Sequence, residues 1–169
     1  MIMLRFLGWF LFLQLVLFSL EMLQPIQHAF VLPWTSWIAQ FSSFLLSSFD
    51  ATIHSSGKVI SSTVNDFAIS IEPGCNGVEA MIVLAAAIIA FPTGWLYKLK
   101  GLMWGTLAIQ ALNLVRIISL FYLGQWNRDI FDWAHLYIWQ ALIMVDALVV
   151  FLIWMRYLPV SSAPKQVSA

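Results

Sequence analysis

Four apolar runs of about the length a bilayer demands dominate this sequence and restrict it to one kind of fold. A hydrocarbon core about 30 Å thick is crossed by about 20 helical residues at 1.5 Å rise each. Such runs extend from Leu4 to Leu23, Gly77 to Phe91, Gly101 to Leu123 and His135 to Tyr157. Pro25, the turn Phe91-Pro92-Thr93-Gly94, Gly124 and Pro159 punctuate them. With 62% hydrophobic and 9% charged residues among 169, little remains from which to build a water-soluble face. The expected fold class is an all-α integral membrane protein, a single membrane domain built as a four-span helical bundle. Eight basic residues balance eight acidic ones, so no charge excess draws the chain to nucleic acid, and its apolar richness excludes disorder.

Lys and Arg near span ends are retained on the cytoplasmic side. Arg5 precedes the first run, Lys98 and Lys100 separate the second from the third, and Arg156 and Lys165 follow the fourth. Four spans put all five on one face and leave Lys58 and Arg128 opposite. Both termini are therefore expected inside, with residues 24–74 and 124–134 outside and 158–169 as a cytoplasmic tail. The end of the first run, Ser19-Leu20-Glu21-Met22-Leu23-Gln24, lacks a small-x-small cleavage pattern, which favours a retained signal anchor.

The outer segment reads as two parts. Ile26 to Phe49 is apolar, but it contains Pro33, a Ser-rich second half and the headgroup-seeking Trp34 and Trp37. Counting it as a span would place Lys98 and Lys100 outside, so it is expected to lie on, or re-enter, the outer leaflet. Ala51 to Ile71 carries β-formers around the turn signal Ser56-Gly57, and it ends in an alternating Phe67, Ile69, Ile71 pattern, which predicts a small extracytoplasmic β-hairpin.

Cys75 is the single cysteine, which excludes an intrachain disulfide framework and a self-contained dithiol relay. It sits in Glu72-Pro73-Gly74-Cys75-Asn76-Gly77, a turn leading straight into the second span. A helix N-terminus there would favour thiolate over thiol. Against this, a free cysteine is commonly just a small buried hydrophobe. Arg116 interrupts the third span about 12 Å below its outer end, where a charge needs a partner or a wet cavity. An ion pair with Glu79, one turn into the second span, is its structural alternative. His135 opens the fourth span and can accept and return a proton, although a boundary histidine also serves as an interfacial anchor. These three come from different spans, and the charge-derived topology brings them to one leaflet.

Other polar residues carry weaker signals. Asn113 and Asp146 fall at similar depth, about 16 Å down, and suggest an interhelical hydrogen bond. Asp129 or Asp132 is placed to orient His135, as a third group does in a triad. His28 and His54 are alternative bases with nothing to fix them. Neither metal-ligand spacing nor a Gly-rich phosphate loop appears, so no cofactor and no metal are expected.

The Gly-Cys-Asn-Gly turn opening a span, the arginine in Asn113-Leu114-Val115-Arg116-Ile117 and the histidine at the edge of the last span together resemble the exosortase and archaeosortase family of membrane transpeptidases. The resemblance covers Glu72 to Tyr157, and the short chain is similar to the compact exosortase H type. It implies Cys75 as nucleophile with Arg116 and His135 completing the site, and Asn76, Glu79, Asn113 and Asp132 stand around it as supporting or substrate-binding candidates. It further implies a bacterial inner-membrane enzyme with its site facing the periplasm. The partners implied are exported proteins ending in a short signature (Ile-Pro-Thr-Leu-like for the H type), one transmembrane helix and a basic cluster. Thiol–disulfide exchange lacks a second cysteine here. The non-enzymatic alternative is a membrane assembly or scaffold subunit using Arg116 and Asp146 as polar glue.

Overall fold

In the computed structural model, which describes residues 2–158, five helices surround one small sheet. Helix α1 spans Ile2–Glu21 and α2 spans Gln24–Ser47. Strands β1 (Ile53–Ser56), β2 (Val59–Ser62) and β3 (Ala68–Ser70) follow. Helices α3 (Val78–Ala90), α4 (Trp95–Trp126) and α5 (Arg128–Arg156) complete the chain. Met1 and residues 159–169, and with them Pro159, Lys165 and most of the expected inner tail, lie outside the described residues.

The bundle is largely helical, as expected, but its element boundaries differ instructively. Nothing between Trp95 and Gly101 breaks a helix, so α4 runs for 32 residues, about 48 Å, and carries Lys98 and Lys100 on its first turns rather than in a loop. The expected outer loop at 124–134 is also helical. It shrinks to Asn127, whose side chain accepts from the N–H groups of Asp129 (2.9 Å) and Ile130 (3.1 Å), capping α5 at once. The second apolar run yields only 13 helical residues in α3, about 20 Å, because the turn before it consumes its start.

Helix α2 is continuous from Gln24 and long and apolar enough to cross a membrane, as are α1, α4 and α5. Pro25 occupies its first turn, where a missing N–H costs little, and a π turn at Gln27–Val31 precedes Pro33. Yet α2 does not run alongside α1. It packs over β1, β2 and α4, burying Thr35, Ile38, Ala39, Ser42, Ser43 and Leu46.

The expected hairpin is present as β1–β2, paired from Ile53↔Ser62 to Ser56↔Val59 around Gly57-Lys58. The alternating segment that follows adds β3, pairing Val59↔Ser70, so the element is a three-stranded antiparallel sheet. Alternation puts Ile53 and Ile60 on one face, where they meet Ile38 and Leu46 of α2 and Ile117 and Phe121 of α4. A second core, Leu84 and Ile88 of α3 with Ile109 of α4 and Ala147 of α5, holds the bundle itself. Large apolar side chains such as Leu11, Phe12, Leu107 and Leu148 point outward, as a lipid-facing belt requires.

Phe121 is fully buried where sheet, α2 and α4 meet, edge-on to Phe67 at 5.6 Å. Phe121→Ala should therefore lower the unfolding free energy in detergent micelles by about 3 kcal/mol. The lipid-facing Leu107→Ala should cost no more than about 0.5 kcal/mol in the same denaturant titration.

Candidate active site

The segment joining β3 to α3 folds as it does for local reasons. Cys75 N–H donates to the Glu72 carbonyl at 2.9 Å, closing a turn with Pro73 second and Gly74 third. Gly74 has φ +86°, the left-handed value that the third position of a type II turn needs. Gly77, at φ +78°, makes the second bend, and a Cβ there would come within 2.6 Å of Gln110 Nε2. Between the two bends, Asn76 is wholly buried. Its Oδ1 accepts from Val78 N–H at 3.0 Å, an Asx turn that satisfies the first free N–H of α3, while its Nδ2 donates to Thr35 Oγ1 at 3.0 Å. Gln110 Nε2 donates to the Asn76 carbonyl at 3.3 Å, and Gln110 Oε1 accepts from Asn113 Nδ2 at 3.4 Å. Side chains from α2 and α4 thus fix the backbone on both sides of Cys75.

Arg116 closes the site. Its side chain is only 2% exposed, with Nη1 donating to the Gly74 carbonyl at 3.2 Å and Nη2 to Cys75 Sγ at 3.3 Å. Glu79 accepts the Gly74 N–H, so the guanidinium and carboxylate grip Gly74 from opposite sides instead of pairing with one another. The alternative of an Arg116–Glu79 ion pair is thereby corrected: among the described residues the only salt bridge is Lys58–Glu72. Arg116 Nε and Glu79 Oε2 are buried with no partner among the described residues, leaving one donor and one acceptor uncommitted.

Cys75 is half-buried beside the core formed by Ile38, Ile71 and Ile117. Burial pushes its thiol up, Arg116 pulls it down, and the Glu79 and Glu72 carboxylates push it up again, for a net rise. Lys58 and Ser70 hold the Glu72 carboxyl below its usual range, so that charge is present near neutrality. The expected thiolate-favouring helix terminus is overridden because α3 begins only at Val78 and desolvation outweighs the nearby cation.

His135 lies in a π turn, Ala134–Ile138, with its ring stacked on Phe131 at 5.7 Å and 3° between planes. Its Nδ1 is buried with no partner among the described residues. It makes no hydrogen bond to Cys75, Arg116 or Asp132, and Asp132 is exposed. Four residues on, Trp139 lines a crevice with Asn113, Arg116 and Asp146. Asn113 and Asp146 share that crevice without the expected mutual hydrogen bond, since the Asn113 amide turns to Gln110. A separate cavity of about 150 Å³ lies between Phe18, Gly74, Glu79, Val83, Gln140 and Met144.

Three contributors escaped the sequence reading. Gln110 carried a signal, being three residues before Asn113 and six before Arg116 on one helical face in an apolar run. Thr35 had none, because its role arises only when α2 folds over the loop. Glu21, buried at the end of α1 and close enough to Glu79 for the two carboxyl groups to interact, figures in the sequence only as part of a segment lacking a cleavage pattern.

The opposed charges around the sulfur make its titration testable. Alkylation of the folded protein by iodoacetamide should go on rising with pH beyond the point, about 8.5, where an unperturbed thiol is half ionised. Arg116→Gln removes the favourable cation and should move the profile to higher pH. Glu79→Gln keeps an acceptor for Gly74 N–H but loses the anion, and should move it lower.

Residues 2–155, nearly the whole chain, match the family model described as transmembrane exosortase. No match was found among curated proteins or among solved structures. Because that match takes in the clamped cysteine and almost all of the chain, the chain belongs to the transmembrane exosortase family.

Proposed function

We propose that this protein is a membrane-embedded cysteine transpeptidase that cleaves the C-terminal sorting tails of exported proteins through a thioester and passes the acyl group to an acceptor. The observation that carries the proposal is the contact of a buried guanidinium with both the lone cysteine sulfur and the carbonyl before it. A structural arginine has no need of a sulfur acceptor when a carboxylate stands nearby. A catalytic one gains by bonding the sulfur, because its charge then stabilises the thiolate as the thiol proton leaves.

In this mechanism the Cys75 thiolate attacks the scissile carbonyl carbon, and the carbonyl oxygen takes the electron pair. Arg116, permanently charged and fork-shaped, supplies donors for that oxyanion, including the uncommitted Nε–H. The C–N bond then breaks, and the departing amine takes the proton that His135 accepted from the thiol. An amine or water attacks the thioester and releases Cys75, so transpeptidation and proteolysis differ only in this last step. A substrate in place brings thiol and imidazole into register, since catalytic hydrogen bonds commonly tighten on binding. Asn76, Asn113 and Glu79 act as supports that hold the loop, and the 150 Å³ cavity beside Gly74 offers space for a substrate side chain.

The family match over residues 2–155 is extended in this reading to the H type, with exported proteins bearing an Ile-Pro-Thr-Leu-like signature as substrates. The positions of Arg5, Lys98, Lys100 and Arg156 support a bacterial inner-membrane topology with α1, α3, α4 and α5 as spans and both ends cytoplasmic. The sheet and α2 would then lie on the periplasmic surface. That placement agrees with the unpaired strand edges of β1 and β3, which require water.

In cells co-producing a protein with such a tripartite tail, Cys75→Ala should abolish tail removal while the enzyme itself still accumulates. Normal processing by that variant would refute the nucleophile. Arg116→Lys cannot span both acceptors and should slow cleavage at least about 100-fold with unchanged accumulation. His135→Gln should slow acylation itself, so that cleavage falls at least about 100-fold and no acyl-enzyme accumulates by mass spectrometry; tail removal at the wild-type rate would point to another base.

A further inference from the structure

The bundle has a further opening lined by none of the residues around the cysteine. Between the first half of α4 and the end of α5 runs a groove of about 550 Å³. Its floor along α4 includes Ala108, while the buried Gly101 and Gly105 are covered by Trp154 and by Leu84. One wall is Trp154, whose indole lies so close that a Cβ on Gly101 would come within 2.3 Å of it. Trp154 Nε1 donates to the Tyr97 carbonyl at 3.1 Å, which seats the ring against Gly101. The remaining lining includes Trp104, Val150 and Ile153, all apolar.

Two features say what fills this space. The first is length: along α4 the lining runs from Tyr97 to Ala108, 12 residues or about 18 Å. That is close to half of a hydrocarbon core about 30 Å thick. A transmembrane helix of a partner would need a track through both leaflets, whereas an acyl chain belongs to one. The second is charge: Lys100 stands in the lining with no hydrogen bond or ion pair among the described residues, and no acidic side chain lines the groove. Tyr97 and Tyr157 flank the same end, as aromatic rings do at headgroup level. Lys98, by contrast, is already committed, donating to the Ile89 carbonyl at 2.6 Å and lying over the Trp95 ring.

We propose that this groove binds one anionic phospholipid in the leaflet opposite the candidate active site, with its acyl chain along Trp104, Ala108 and Ile153 and its phosphate at Lys100. The assignment does not depend on the transpeptidase reading. Basic pockets between transmembrane helices recognise lipid headgroups in this way, through a cation at the interface and apolar walls below it. The bound lipid would fill a gap between α4 and α5 that protein side chains leave open at that end.

Native mass spectrometry of the detergent-purified protein mixed with palmitoyl-oleoyl phosphatidylglycerol or with the matching phosphatidylcholine tests this. One phosphatidylglycerol should be retained per chain in preference to phosphatidylcholine. Lys100→Gln, at an exposed position that should not disturb folding, should weaken retention about fivefold. Ala108→Phe, which fills the floor, should abolish retention of both lipids. Arg128→Gln, a cation at the start of α5, should leave it unchanged. Equal retention of the two lipids, or an unaltered Lys100→Gln variant, would overturn the proposal. So would two-chain ions that Ala108→Phe converts to one-chain ions, because the groove would then hold a helix of a second copy.

Discussion

A guanidinium almost wholly removed from solvent is the constraint around which this molecule is arranged. An arginine in the body of a transmembrane helix costs about 2.5–3.5 kcal/mol on insertion scales, and Arg116 recovers that cost only through the turn it meets. The Gly74 carbonyl and the Cys75 sulfur are its acceptors. They stand where they do because Gly74 and Gly77 take left-handed backbone angles that other residues resist. Charge, turn and sulfur are thus mutually dependent: displacing the turn strands a buried cation, and removing the cation leaves the turn held by Glu79 alone on one side.

The cap formed by the sheet and α2 has a similar logic. A three-stranded sheet has too few residues to bury a core of its own, so Ile53 and Ile60 depend on α2 and on the last turns of α4. Helix α2 in turn contributes Thr35 to Asn76, which links the cap directly to the residue after the cysteine. The cap therefore does more than shield the bundle end, because it sets the conformation of the loop carrying the sulfur. Membrane bundles lack a strong hydrophobic force between spans. Fixing a loop through a chain of polar contacts, Thr35 to Asn76 to Gln110 to Asn113, is a means of obtaining rigidity where apolar packing is weak.

The two ends of the bundle differ in kind. Toward Cys75 the interior is polar and crowded, with buried donors and acceptors such as Arg116 Nε and Glu79 Oε2 still uncommitted. Toward Lys100 the interior opens into an apolar groove with a lone cation at its rim. The first arrangement suits bond making and breaking on a peptide, and the second suits a molecule with a greasy tail and a negative head.

Much of this was legible in the linear chain. Apolar runs of about 20 residues cannot be accommodated in water, so the helical membrane fold followed from hydropathy alone. Cys75, Arg116 and His135 stood out because each is chemically anomalous where it sits. The alternation after Ala51 revealed strands, because a period of two has no helical meaning. Other matters were decided only in three dimensions. Whether Arg116 would pair with Glu79 or reach the sulfur depended on side-chain geometry at the turn, which spacing does not encode. Whether the thiol would be acidic depended on the balance of burial against charge, and the fold tipped it toward the neutral form. The roles of Thr35 and Gln110, and the clasp of α2 over the sheet, depend on contacts between residues far apart in the chain. A sequence specifies which groups are costly to leave alone, and only packing determines which neighbour satisfies each of them.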